Sequence, residues 1–325
     1  IFVEHGKNAF KTFTFLKAPV ITLKGSRILK DPKSTKASGS LDLIDFTGNN
    51  VLIKSFRCKL DINGPLIRFN TVECRKNEGK MSGDFTLDTQ TGDLVMKAVS
   101  DIYPVDVAAI IGPKTKASIE PYHFKTAPHI LWNGVYNLKN SGLNDLRIDV
   151  TCAKFNWWKL NMEKVKARVW VGPKSIEISR LTSVFHQGSM KAEVLVDVTG
   201  KDSKVGFSVD LDQVNFMPLT EDLFGYKKVE GKLTGKAWAA GVTGKADSWV
   251  GNGWLKIEDG ELWRIPIFGD LSKVLGTIIP GFGSPKARYA ETKFTLLDSY
   301  ARMYDIKIDS QVVTLTAKGK YYFDE

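Results

Sequence analysis

Three observations predict a mainly β chain of antiparallel strands with a few short amphipathic helices. Apolar residues alternate with polar ones over many short runs, turn dipeptides separate those runs, and one stretch of the pattern occurs twice. Alternation with a period of two marks a half-buried strand, while short helices show apolar residues three and four apart.

Residues 58 to 88, CKLDINGPLIRFNTVECRKNEGKMSGDFTLD, align without a gap with residues 167 to 197, ARVWVGPKSIEISRLTSVFHQGSMKAEVLVD, an offset of 109. Phe56, Cys58, Leu60 and Ile62 fall on Val165, Ala167, Val169 and Val171, each set flanked by largely polar neighbours. Asn63-Gly64 falls on Gly172-Pro173. Both are turn dipeptides, so each copy opens as a hairpin. The next strands carry Ile67 and Phe69 in one copy and Ile176 and Ile178 in the other. A second turn is expected at Gly79 and Gly188, before Met81, Gly83, Phe85 and Leu87, and before Met190, Ala192, Val194 and Val196. A one-residue slip would move all these side chains to the other face, so the alternation specifies register. Phe207 and Val209 carry it into a further strand.

Each copy then reaches a Pro-opened segment, DIYPVDVAAIIG at 101 to 112 and VNFMPLTEDLFG at 214 to 225, and LWRIPIFGDLSKVLG at 262 to 276 supplies a third. Pro suits the first turn of a helix and Gly its exit, so three short helices are expected. In the third, Ile267, Leu271, Val274, Leu275, Ile278 and Ile279 form one apolar stripe before Pro280-Gly281. The strand before it should turn at Asp259-Gly260, and residues 293 to 323 read as three strands with turns near Asp298-Ser299 and Asp309-Ser310. The expected organisation is the end of a preceding repeat plus a basic linker (1–48), two β repeats (49–135 and 136–245) and a terminal unit (246–325).

Lys and Arg exceed Asp and Glu by 46 to 36, a net charge of +10 that favours an anionic partner such as a membrane surface. The densest stretch, LKGSRILKDPKSTKASGS at 23 to 40, reads as an exposed linker, solvated or anion-binding. No run of 18 apolar residues could span a bilayer, and the chain opens IFVEHG without a signal-peptide pattern. Either the protein is soluble or its targeting and anchoring segment lies outside this sequence.

Catalytic signatures fail one by one. Cys58, Cys74 and Cys152 fit no metal spacing, and His5, His123, His129 and His186 form no ligand motif, with His123 and His129 read as surface imidazoles. GYKKVEGKLTGK at 225 to 236 lacks phosphate-loop spacing and reads as strand ends with glycine turns. Glu221-Asp222 and Glu258-Asp259 are placed beside turns or helix starts, where acids need no catalytic duty. No enzyme activity, catalytic residue, metal or cofactor is expected. Trp157, Trp158 and Trp170 with Lys154, Lys159, Lys164 and Lys166 raise a basic stacking surface. Cross-strand packing is the preferred reading, so no nucleic-acid partner is expected.

The terminal GNGWLKIEDGELWRIPIFGDL and FTLLDSYARMYDIKIDSQVVTLTAKGKY resemble the C-terminal region of AsmA-like proteins in their order of strand, Pro, short helix and paired strands. The preceding VDLDQVNFMPLTEDLFGYKKVEGKLTGKAWAAG resembles the repeat before it, and the likeness covers roughly residues 50 to 325. It is a likeness of pattern, and the family has no active-site residue to carry over. It implies a bacterial envelope protein related to TamB-type and bridge-like lipid-transfer proteins. Such a protein has a long, curved, periplasmic β-groove (β-taco-like), held to the inner membrane by an N-terminal segment absent here. It implies work in moving phospholipid between inner and outer membranes or in outer-membrane assembly.

On that reading Phe56, Cys58, Leu60, Ile62, Met81, Phe85, Leu87, Val165, Ala167, Val169, Val171, Met190, Val194, Val196, Phe207 and Val209 line an apolar groove. The expected partners are phospholipid or another acyl lipid, the envelope membranes and other envelope proteins. An acyl chain of about 16 carbons gains on the order of 12 kcal/mol from shelter. A scaffolding protein with a closed core would use the same alternation, so the readings differ in whether that face is open. The stripe from Ile267 to Ile279 would cap the groove's end or meet a membrane, and the cap is preferred because only Asp270 and Lys273 are charged there.

Overall fold

A computed structural model describes residues 13–28, 30–200, 202–225, 227, 230–260, 287–310 and 314–322. Among these residues the chain is mainly β, an open antiparallel sheet of 19 strands with few short helices. It divides into two compact units, residues 1–156 with 168–174 and residues 157–167 with 175–325.

Unit 1 holds β1 (Phe13–Phe15), β2 (Val20–Ile28), β3 (Asp31–Gly48), β4 (Val51–Asn63), β5 (Leu66–Lys76), β6 (Gly79–Asp88) and β7 (Asp93–Ser100). After two helices, α1 (Pro104–Ile111) and α2 (Pro113–Ile119), come β8 (Tyr122–Phe124), β9 (His129–Asn137) and β10 (Asp145–Trp157). Antiparallel pairing runs β2-β3-β4-β5-β6-β7-β9-β10. β11 (Leu160–Val171) is divided between the units. Unit 2 continues with β12 (Ser175–Phe185), β13 (Gly188–Asp197), β14 (Lys204–Asn215), α3 (Phe216–Phe224), β15 (Lys232–Val242), β16 (Lys245–Gly260), β17 (Ala287–Leu297), β18 (Tyr300–Ser310) and β19 (Thr314–Tyr322). There each strand from β12 to β19 pairs with the next.

Residues directly opposite one another across a ladder share a face, so register sorts the side chains. In unit 1, Leu23, Gly39, Leu60, Phe69, Phe85, Met96, Gly134 and Leu146 follow one another across eight strands. Leu181, Ala192, Val209, Ala237, Gly253, Phe294 and Met303 do the same in unit 2. Each unit therefore keeps one continuous apolar face, while the opposite face mixes charged side chains with exposed apolar ones such as Val95, Leu131, Trp238 and Trp254.

Simple alternation would have lost that face wherever a strand is bulged. β5 is bulged between Phe69 and Val72, β12 between Ile178 and Leu181, β14 between Leu211 and Val214, and β18 between Met303 and Ile306. Thr71, Arg180, Gln213 and Asp305 take φ values of 49°, 54°, 52° and 48° inside them. An extra residue shifts the phase of alternation, so Val72 and Cys74 stay on the face of Ile67 and Phe69. The bulges at Thr71 and Arg180 stand one repeat offset of 109 apart (180 − 71).

Several expectations need correction. Residues 23–40 are not a linker but most of the β2–β3 pair, running from Val20 opposite Asp42 to Ile28 opposite Asp31. Its charged side chains stand at the margin of the ladder, where they discourage pairing with another chain. The second turn of each repeat is at residues 77–78 and 186–187, while Gly79 and Gly188 open the strands that follow. His186-Gln187 carries φ values of 44° and 64°, the two left-handed residues of a tight hairpin turn, without the usual Asn or Gly. The two glycines are required for another reason. A Cβ on Gly79 would lie 2.5 Å from the Asp101 carbonyl, and one on Gly188 2.5 Å from the Asp212 carbonyl and the Val214 nitrogen. Asp259-Gly260 is no turn, because Gly260 still pairs with Ala287. Glu221-Asp222 sits in the last turn of α3, not at a helix start, whereas β17 and β18 meet at the expected turn at Asp298-Ser299 and β18 ends, as expected, near Asp309-Ser310. α2 was not foreseen, and the stripe Ile267, Leu271, Val274, Leu275, Ile278 and Ile279 lies outside the described residues.

Candidate apolar binding face

The apolar faces are covered at one end by the helices the sequence announced. α1 opens on Pro104, and its Val107 and Ile110 pack against Leu43, Phe46, Ile53, Cys74 and Ile102, all buried. α3 opens two residues ahead of Pro218 and ends at Gly225, whose φ of 70° lets its N–H donate to the Glu221 and Thr220 carbonyls. Leu219 and Thr220 of α3 are buried. So are Phe185, Met190, Val214 and Leu233 of the strands at that end, Val214 completely, at 0% exposure.

Away from the helices the cover stops. Of the residues expected in a groove, Cys58, Val165 and Met190 are buried, while Phe56, Leu60, Ile62, Met81, Phe85, Leu87, Ala167, Val169, Val171, Val194, Val196 and Val209 are half-buried. Phe207 is 38% exposed. Register brings them together in three groups: Ile62 and Leu87 meet at Ile67, Leu60 and Phe85 at Phe69, and Phe56 and Met81 at Cys74. Val194 stands opposite Phe207. Along β11, Val165, Ala167, Val169 and Val171 alternate with exposed Lys166 and Arg168.

Sequence reasoning also missed members of this face. Val72 and Leu181 follow the bulges, and Ala237, Leu255, Ile257, Phe294, Leu296 and Met303 lie on strands where Gly and Ala blur the alternation. Only pairing register reveals them. Ser183 and Thr292 are polar exceptions on the unit 2 face, opposite Met190 and Leu255.

All three cysteines are free and buried. Burial pushes the Cys74 thiol up to about 11 and raises Cys58, while a hydrogen bond from the Leu41 backbone partly offsets the latter. The His186 Nε2 lies 3.3 Å from Asp222 Oδ2, within ion-pair range but without hydrogen-bond geometry. Burial holds that imidazole below its ordinary value, and the nearby Asp222 charge pulls the other way. Asn161 Nδ2 donates to the same Asp222 at 2.8 Å, so this acid ties α3 to the strands beside it. His123 and His129 are both exposed, and His129 Nδ1 is 2.6 Å from Asp101. Among the described residues no three His, Cys, Asp or Glu side chains gather as metal ligands do, and no helix is long and apolar enough to cross a membrane.

In comparisons with known proteins, no family model, no curated protein and no solved structure matches the chain.

Proposed function

We propose that the chain is a non-enzymatic lipid-binding protein of the AsmA-like kind, which shelters phospholipid acyl chains on its apolar face for transfer between the membranes of a bacterial envelope. The observation that carries this reading is the half-exposed apolar row that register runs across seven strands of unit 2 and eight of unit 1. A closed core would bury the middle of such a row as Val214 is buried at its end. Instead Ala192, Val209, Ala237 and Phe294 remain half-buried, and Phe207 is more exposed still.

Acyl chains need no directional chemistry, since burial yields about 0.8 kcal/mol per CH₂. That agrees with a face built of Leu, Val, Ile, Phe, Ala and Gly. The helices α1 and α3 then serve as stops at one end of each apolar face. The periplasm, with inner-membrane anchoring by a segment outside this sequence, is the location this reading implies. Envelope membranes, and other envelope proteins, are its implied partners.

The test is native mass spectrometry of delipidated protein mixed with phosphatidylglycerol and phosphatidylethanolamine vesicles. Discrete lipid adducts are expected, and they should disappear in Val194→Asp with Phe207→Asp. A folded protein that takes up no phospholipid, or takes it up equally in the double variant, overturns the proposal.

A further inference from the structure

The opposite face of unit 2 has no part in sheltering lipid, yet it is concave and aromatic. A shallow trough of about 980 Å³ crosses seven strands, from β12 to β18. Its walls are two rows of that face: Lys191, Asp210, Lys236, Trp254, Lys293 and Tyr304, each opposite the next, and the parallel row through Glu193 and Trp238. Only the single apolar row between them joins the lining, which puts the trough on that side.

Three rings stand open there: Trp238 is 44% exposed, Trp254 37% and Tyr304 38%. Trp238 faces Asn252 across the ladder and Trp254 faces Lys236, so the two indoles are diagonal neighbours, about 8 Å apart or less. The charges are unevenly matched. Lys236 takes Asp210 at 2.8 Å, whereas Arg180, Lys191 and Lys293 have no ion-pair partner among the described residues. Glu193 is the remaining carboxylate in the lining.

We propose that this trough binds an anionic glycan chain. Trp238 and Trp254 stack on pyranose rings, and Arg180, Lys191 and Lys293 meet the chain's carboxylate or phosphate groups. A flat indole offers apolar area to the C–H face of a sugar, and Asn252, Ser208 and Thr295 offer donors and acceptors for its hydroxyls. Seven strands give six spacings of about 4.8 Å, roughly 29 Å in all, room for about six rings because a pyranose chain advances by about one strand spacing per ring. Single-stranded nucleic acid would use rings and cations too, but Glu193 inside the lining opposes a phosphate at every step while it can accept sugar hydroxyls.

Isothermal titration of the whole chain with hexagalacturonate, neutral cellohexaose and a six-nucleotide thymidine strand tests this. Hexagalacturonate should bind saturably and tightest of the three. Trp238→Ala with Trp254→Ala should weaken it by about tenfold or more, the scale of losing a stacked ring. Lys191→Gln with Lys293→Gln should remove the advantage over cellohexaose. Both double variants alter exposed side chains and should melt as the parent does, and both should load phospholipid normally, which separates this proposal from the lipid reading. Absence of saturable hexasaccharide binding, indifference to both double variants, or tighter binding of the oligonucleotide overturns it.

Discussion

Val194 and Val214 carry the same side chain on the same face of neighbouring strands, β13 and β14, and differ only in cover. Val214 is 0% exposed at the α3 end, while Val194 is half-buried opposite Phe207. Changing either to Ala removes two methyl groups, worth about 1.6 kcal/mol if fully buried. At Val214 the whole of that is lost, and an unfilled cavity of about 50 Å³ adds ~1 kcal/mol, for a total of about 2.5 kcal/mol. At Val194 about half the transfer term applies and the open side leaves no cavity, so the loss is about 0.8 kcal/mol. Urea unfolding of delipidated full-length protein, followed by tryptophan fluorescence, should separate the two by well over ~1 kcal/mol at unchanged slope. Equal losses would mean that Val194 is as covered as Val214. The open-face argument would then be wrong.

Three further predictions follow from backbone, thiol and imidazole. Gly188→Ala should cost about 2 kcal/mol or more, because the new Cβ meets backbone 2.5 Å away that no rotamer change can clear, whereas Gly225→Ala, with nothing near its Cβ, should cost only the ~1 kcal/mol of a left-handed φ. Chemical denaturation of both variants checks the order, and a milder effect at Gly188 refutes it. Maleimide at pH 8 should label none of Cys58, Cys74 and Cys152 quickly in the native protein and all three in urea, since all are buried and the Cys74 thiol titrates near 11. One fast native thiol would contradict that burial. The unfolded chain takes up a proton at His186 near pH 6.5, but the native imidazole, held lower by burial, does not. Stability is therefore full above that pH and falls below it, by up to ~1.4 kcal/mol per pH unit, until the native imidazole titrates too. His186→Gln should flatten this decline in a pH series of melting curves, and an unchanged decline excludes the residue as its source.

Wherever side chains alternate without interruption, the sequence was enough. The alternation from Phe56 to Ile62 and from Met190 to Val196, the Pro-opened helices and the 109-residue offset all follow from local chemistry acting at a fixed period. Bulges defeated the reading because one left-handed residue, Thr71 or Arg180, shifts the phase while leaving no mark in the letters. Residues 23 to 40 were misread because Lys, Ser and Gly suggest a loop, yet a strand at a ladder's margin needs little more than its backbone partners. The tryptophans singled out first, Trp157 and Trp158, are exposed at the end of β10 and beyond it, away from the trough's lining. Trp238 and Trp254 escaped notice because they lie 16 positions apart in the chain, and ladder pairing alone makes them neighbours.

The bulge that β5 and β12 share makes the chain divisible. Joining Thr71 directly to Leu181 deletes residues 72–180, one whole period of 109, and leaves a hybrid strand that runs from Leu66 to Phe185 with its kink intact. The side chains entering and leaving the splice keep their apolar and polar sides, although Leu43, Phe46 and Ile53 lose Cys74, Ile102 and α1 and must be covered by their counterparts in the second copy. Copy number can then change while register is kept, and the new contacts are confined to the seam, where Phe56, now opposite Cys74, would face Ser183.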